Sequence, residues 1–210
     1  VFGNKGEYIF CDVEPGLYLL RVSQQNYMTM EYVVSVDSED VVQDVWMYLL
    51  VNGKSFTLSF EDEILVNFYY TVEAVPDLVE QGMMVFFEKP ADPDISNADQ
   101  LYPNGVYDSV KMRYMATTDG IAAKAMGDTR YYVAYAKLAD GTIAYSKVYE
   151  YSPKKYAMNM LGKTSTSAKQ KSLCVAMLNY GAAAQTYFGY KADDLMNSEL
   201  TAAQKALAVT

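Results

Sequence analysis

Residues 55 to 72, S-F-T-L-S-F-E-D-E-I-L-V-N-F-Y-Y-T-V, keep an apolar side chain at nearly every even position. Phe56, Leu58, Phe60, Ile64, Val66, Phe68, Tyr70 and Val72 hold the phase, and only Asp62 breaks it. A pleated strand sends alternate side chains to opposite faces, so this pattern demands a sheet with one buried side. The break places a turn at Glu61-Asp62-Glu63 between two strands. The same period appears earlier at Tyr18, Leu20 and Val22, at Tyr32, Val34 and Val36, and at Val45, Met47 and Leu49. These read as three strands of a small all-β unit.

Turn chemistry punctuates the runs. Glu14-Pro15-Gly16-Leu17 has the order of a type II turn, with proline second and glycine third. Asp37-Ser38-Glu39-Asp40 is a polar break, and Asn52-Gly53-Lys54 reads as the turn that separates two domains. Further strands are expected at 83 to 88 and 110 to 115. Residues 89 to 105, with Pro90, Pro93 and Pro103, read as a loop between them.

Residues 131 to 151, Y-Y-V-A-Y-A-K-L-A-D-G-T-I-A-Y-S-K-V-Y-E-Y, form the most aromatic stretch. A two-residue turn at Asp140-Gly141 pairs Leu138 with Ile143, Ala136 with Tyr145 and Tyr132 with Tyr149. One face then carries Tyr132, Ala134 and Tyr149, and the other carries Tyr131, Val133, Tyr135 and Lys137. Cross-strand aromatic pairs stabilise such a half-buried sheet by about 0.2–1 kcal/mol each. The rings therefore have a structural reason to be there without any ligand.

After Tyr151 the period changes. Ser152-Pro153 supplies a capping hydroxyl and a proline at the first helical position, opening a helix over about 153–161 that Gly162 ends. A longer helix follows over 168–188, stopped by Gly189, with Leu173, Met177, Tyr180, Ala184 and Phe188 as its stripe. Thr201 and Gln204 have capping-box spacing and open a third helix over 202–210.

The chemistry available is narrow. The chain has no histidine and a net charge of −9. Ser-His-Asp catalysis, His-ligated zinc and an imidazole base are unavailable, which leaves carboxylate, Lys, Tyr or Cys chemistry. So acidic a surface repels phosphate backbones, so neither nucleic acid nor anionic membrane is an expected partner. No apolar run is long enough to cross a bilayer, and no membrane insertion is expected. Cys11 and Cys174 read as thiols behaving like small apolar residues. A chain beginning at Val1, without initiator methionine or signal peptide, reads as a piece of something longer.

Each motif with a chemical precedent meets an obstacle. Gly53-Lys54-Ser55 resembles the end of a phosphate-binding loop, but Tyr48 stands where its first glycine belongs. Asp92 to Asp99 begins like a calcium loop, then places Asn97 at the glycine position and Pro103 at the bidentate-glutamate position. Glu61, Asp62 and Glu63 are a polar turn or a weak cation site. No pair of carboxylates is singled out for glycoside hydrolysis. Trp46 is expected to pack in or beside the small sheet. Sugar faces stack on exposed aromatic rings, which makes Tyr131 and Tyr135 candidate ligand-stacking residues, with Tyr107-Asp108 a further platform. Catalytic, metal and cofactor residues are not expected.

Two resemblances extend this reading. Residues 6 to 49, with C-D-V-E-P-G-L-Y-L-L-R-V and E-Y-V-V-S-V, resemble the later part of a carboxypeptidase regulatory-like domain. That resemblance implies a truncated, prealbumin-like β-sandwich over 1–51, grouped with carbohydrate-binding-like folds and non-catalytic. Residues 54 to 210, with T-T-D-G-I-A-A-K-A-M-G-D-T, Y-S-P-K-K-Y-A and L-N-Y-G-A-A-A-Q-T-Y-F-G-Y, resemble an uncharacterised module of secreted, multi-domain surface proteins of anaerobic Gram-positive gut bacteria. The hairpin is similar to fibronectin type III strands. The expected fold class is mainly β, with antiparallel sandwich modules, prealbumin-like and then Ig/fibronectin-like, followed by C-terminal α-helices. The expected function is a non-enzymatic structural or interaction module, secreted or on the cell surface. Its partners would be neighbouring modules of the same polypeptide, and a polysaccharide or a surface protein. A carbohydrate-binding module is the alternative, and a carboxylate-based hydrolase a third reading.

Overall fold

A computed structural model describes residues 7–37, 39–60 and 63–207, which form two compact units parting between Leu50 and Val51. The first unit is built on an antiparallel pair, β1 (Gly16–Val22) and β2 (Met30–Val36), with Leu19 opposite Val33 and Arg21 opposite Glu31. The segment with Val45, Met47 and Leu49 does not form the expected third strand. It touches the pair's connection through a bridge between Tyr27 and Leu49. Its backbone is held by the Tyr32 hydroxyl, which accepts from Trp46 N–H (2.8 Å) and donates to Trp46 O (3.0 Å). The Trp46 side chain itself is exposed, contrary to the expected packing. Gly16 begins β1 without positive φ, so the type II turn does not form there.

The second unit is a sandwich of two antiparallel sheets with helices after the last strand. One sheet runs β3 (Val51–Ser59), β4 (Leu65–Val72), β8 (Arg113–Thr117) and β7 (Val106–Asp108) in spatial order. The other runs β10 (Ile143–Tyr145), β9 (Arg130–Leu138), β5 (Leu78–Phe86) and β6 (Gln100–Pro103), with β11 (Tyr149–Tyr151) also on β9. Asn52-Gly53-Lys54 is no turn but part of β3, where the register slips between Gly53 and Ser55. Glycine is needed there because a Cβ on Gly53 would collide with the Tyr149 and Phe68 rings. The expected turn at Glu61-Asp62 lies outside the described residues. Val110 and Met112 stand exposed in the β7–β8 connection, so that strand starts later than its alternation suggests.

The inner faces meet in an aromatic layer. Phe56 stacks on Phe68 (centroids 4.7 Å apart) and on Tyr151 (4.4 Å), while Tyr132 meets Phe56 edge-on at 5.1 Å. Such pairs add about 0.5–1.5 kcal/mol each beyond the area they bury. Tyr70 donates to Gln81 Oε1 across the layer, and Gln81 Nε2 donates to Gly105 O (3.0 Å).

The hairpin register differs from the expected one. Gly141 N–H donates to Leu138 O (3.0 Å) and Leu138 N–H to Thr142 O (2.8 Å), with Gly141 at φ +87°. This is a three-residue loop, a type I turn closed by a left-handed glycine. It pairs Tyr145 with Tyr135 rather than Ala136. A bulge around Ser146, whose Oγ accepts from Ala134 N–H (2.9 Å), restores the expected pairing of Tyr149 with Tyr132. The return strand is thereby split into β10 and β11. Tyr145 joins Met84, Phe86, Val133 and Tyr135 on the outer face of the sheet, and Tyr149 and Tyr151 stay on the inner one.

That outer face is itself covered. Ile95 and Ala98, around a 3-10 turn at Ile95–Asn97, pack on it, and Tyr145 donates to Asp94 Oδ2 (2.8 Å). Residues 132 to 136 are consequently buried on both faces, and the half-buried hairpin of the alternation argument is a central strand.

Helices follow the last strand: α1 (Pro153–Gly162), α2 (Ala168–Phe188) and α3 (Ala202–Ala206). Ser152, Ser167 and Thr201 cap them through their hydroxyls. α2 buries Cys174, Val175, Met177, Leu178, Gly181, Ala182 and Gln185. Of the expected stripe, Leu173, Tyr180 and Phe188 are exposed instead. Gly181 lets Met126 and Met196 approach the helix, where a Cβ would meet both.

Candidate binding groove

An open groove of about 830 Å³ lies where β5 ends, β9 begins and the chain leaves α2. Small-molecule sites occupy about 300–1,000 Å³, so its size suits a ligand. A second concavity, between Phe60, Tyr156 and Leu173, holds about 40 Å³, room for little more than a water.

Local structure fixes each wall. Gly189, at φ +61°, ends α2 in a Schellman arrangement: Tyr190 N–H donates to Gln185 O (2.9 Å) and Gly189 N–H to Thr186 O (3.3 Å). The turn aims Tyr190 and Lys191 at Asp128, whose Oδ2 accepts from the Tyr190 hydroxyl (2.5 Å) and Oδ1 from Lys191 Nζ (2.7 Å). Bonding to that carboxylate pushes both the Tyr190 phenol and the Lys191 ammonium up from their ordinary values. Lys191 takes φ +45° to reach it. Gln185 holds the following segment, donating to Asp194 O (3.1 Å) and accepting from Met196 N–H (2.8 Å). Lys154 Nζ bridges Glu199 at 2.8 Å and Asp194 at 3.7 Å. On the opposite wall, the Arg130 guanidinium sits 5.1 Å over the exposed Phe87 ring, with Glu88 and Lys89 beside it.

Tyr131 lines this groove, half-buried. Tyr135 does not: it has no accessible surface, and its hydroxyl donates to Glu80 Oε1 (2.7 Å). Burial, with the Glu80 carboxylate adding to it, pushes its phenol well above the ordinary range. Tyr135 is therefore a core residue and no stacking platform. The correction follows from the covered outer face. Its neighbour Gly82 lies so close beneath that a Cβ would enter the Tyr135 ring and the backbone of β6.

The remaining candidates have structural partners. Asp94 accepts from Ser96 N–H and Oγ, bonds that hold its carboxyl below the usual range, and Asp99 accepts from Phe87 N–H (2.7 Å). Asp108 caps the β7–β8 turn, accepting from Val110 and Lys111 N–H (both 3.1 Å), and Tyr107 leans on Tyr114. Glu61 and Asp62 lie outside the described residues. Among those described, no three His, Cys, Asp or Glu side chains are placed to hold a metal, and Cys11 and Cys174 form no disulfide. No helix among them is long and apolar enough to cross a membrane. Sequence alone did not single out Phe87, Asp128, Arg130 or Tyr190. Only the Gly189 stop preceding Tyr190-Lys191 hinted that those two side chains project from a fixed corner.

No protein-family model matches the chain, that of the carboxypeptidase regulatory-like domain included, and no curated protein matches it. Among solved structures it is similar to a DUF3823 family protein from Bacteroides ovatus. The identity is 13%, the TM-score 0.39, and the match covers 67% of this chain and 75% of that one. The chain as a whole is mainly β, with antiparallel sheets and C-terminal helices.

Proposed function

We propose that this chain is a non-catalytic interaction module of a secreted or cell-surface protein, and that the groove at Phe87, Tyr131 and Tyr190 is its contact face. One observation carries the reading: the groove collects aromatic side chains on fixed elements, whereas its central carboxylate, Asp128, is already occupied by Tyr190 and Lys191. A group so tied is a positioning element and a poor general base. The resemblance of residues 6 to 49 to an accessory β-module agrees with it. Incubation with polysaccharide and peptide panels should give no turnover, and hydrolysis of any member that tracks with the pure protein would refute the proposal.

Carbohydrate binding is the second reading. It is favoured by the combination of ring faces with charged hydrogen-bonding groups (Arg130, Lys89, Glu88) around one concavity. In affinity gels the protein should be retarded by at least one polysaccharide, and Phe87→Ala with Tyr131→Ala should release it. Unchanged mobility of the wild type across a broad panel would exclude this reading and leave a protein partner for the groove.

A further inference from the structure

The outward face of α2 lacks what a solvated helix face has. Surface helices carry charged and polar residues on the side away from the core. From Ser172 to Phe188 this helix has no charged residue, and its two lysines, Lys169 and Lys171, both lie in the first turn. Leu173, Tyr180 and Tyr187 point outward with 54%, 62% and 84% of their surface exposed. They are spaced seven residues apart, about 10 Å along the axis at 1.5 Å per residue. Ala176 and Ala183 lie between them on the same side, also exposed.

We infer that this face is the interface of a homodimer in which α2 packs antiparallel on α2 of a second copy. The stripe is self-complementary under a two-fold axis through Tyr180, as an isologous interface requires. With Tyr180 on Tyr180, Leu173 of one copy lies against Tyr187 of the other, and Ala176 against Ala184. Small side chains between large ones let two helices approach and interlock. The charges agree with this direction. Lys169 and Lys171 come beside the second copy's chain just past Gly189, where the exposed Asp193 stands. A parallel pair would set the lysines of both copies side by side. The helix, about 31 Å long at that rise, provides a contact running its full length.

Sedimentation of the full chain over a dilution series tests this. The wild type should pass from monomer to dimer as concentration rises. Tyr180→Arg sets two like charges on the axis and should weaken association roughly a hundredfold. Leu173→Glu alone and Tyr187→Lys alone should each weaken it. The double variant should recover most of the loss, because the carboxylate introduced on one copy then faces the ammonium introduced on the other. All these positions are exposed, so the thermal melt of each variant should match wild type. A wild type monomeric at every concentration would overturn the inference. So would a dimer indifferent to Tyr180→Arg, or a double variant no better than the singles.

Discussion

Tyr70 and Tyr132 lie in the same aromatic layer and make opposite demands on it. The Tyr70 hydroxyl donates to Gln81, so Tyr70→Phe leaves a buried amide oxygen without its donor. That should cost about 1–3 kcal/mol, read as a lower urea midpoint at unchanged slope. The Tyr132 hydroxyl is buried without a partner among the described residues. Tyr132→Phe should leave stability unchanged or raise it by about 1 kcal/mol, and a loss comparable to that of Tyr70→Phe would contradict this account of the layer. Gly53→Ala forces a methyl group into the Tyr149 and Phe68 rings and should cost about 1–3 kcal/mol in the same assay.

Among the elements, those specified by local chemistry were legible in the sequence and those specified by packing were not. Ser152 and Thr201 cap their helices and Gly189 takes the left-handed end, because each acts on its own backbone. The β3–β4 alternation holds for the same reason, with Val66, Phe68 and Tyr70 all buried. The hairpin register failed by one residue because Asp-Gly serves both a two-residue turn and a three-residue loop, and the choice rests on Ser146 and the sheet beyond. The inward side of α2 was misread because a helix apolar on every side has no period to read. Tyr131 and Tyr135, two strand residues on one face, part company only because residues around Ile95 cover the second and stop short of the first. The groove depends on Asp128 tethering the segment after α2. Asp128→Ala should therefore speed amide exchange across residues 189–200 while β4, β5 and β9 keep their protection. Equal loosening of those strands would show that the tether holds the whole sandwich and not one wall.

At the scale of the molecule, the tyrosines set the response to alkali. Burial raises the phenols of Tyr70, Tyr132 and Tyr151 above the ordinary range, burial with Glu80 does so for Tyr135, and burial with Asp94 pushes Tyr145 up to about 12. A group raised in the folded state stabilises it fully below its unfolded pKa of about 10 and loses that contribution as pH climbs through the folded value. Each adds about 1.4 kcal/mol per pH unit to the slope, so stability should fall steeply above pH 10 or so. The twenty tyrosines also give the most direct test that aromatic alternation here builds an interior and not a ligand surface. Followed by tyrosinate absorbance, an alkaline titration should show two phases: a reversible one from exposed rings near the ordinary value, and a later one that coincides with loss of the β-sheet circular dichroism signal. A single smooth phase in which every ring ionises while the sheet signal persists would contradict the account.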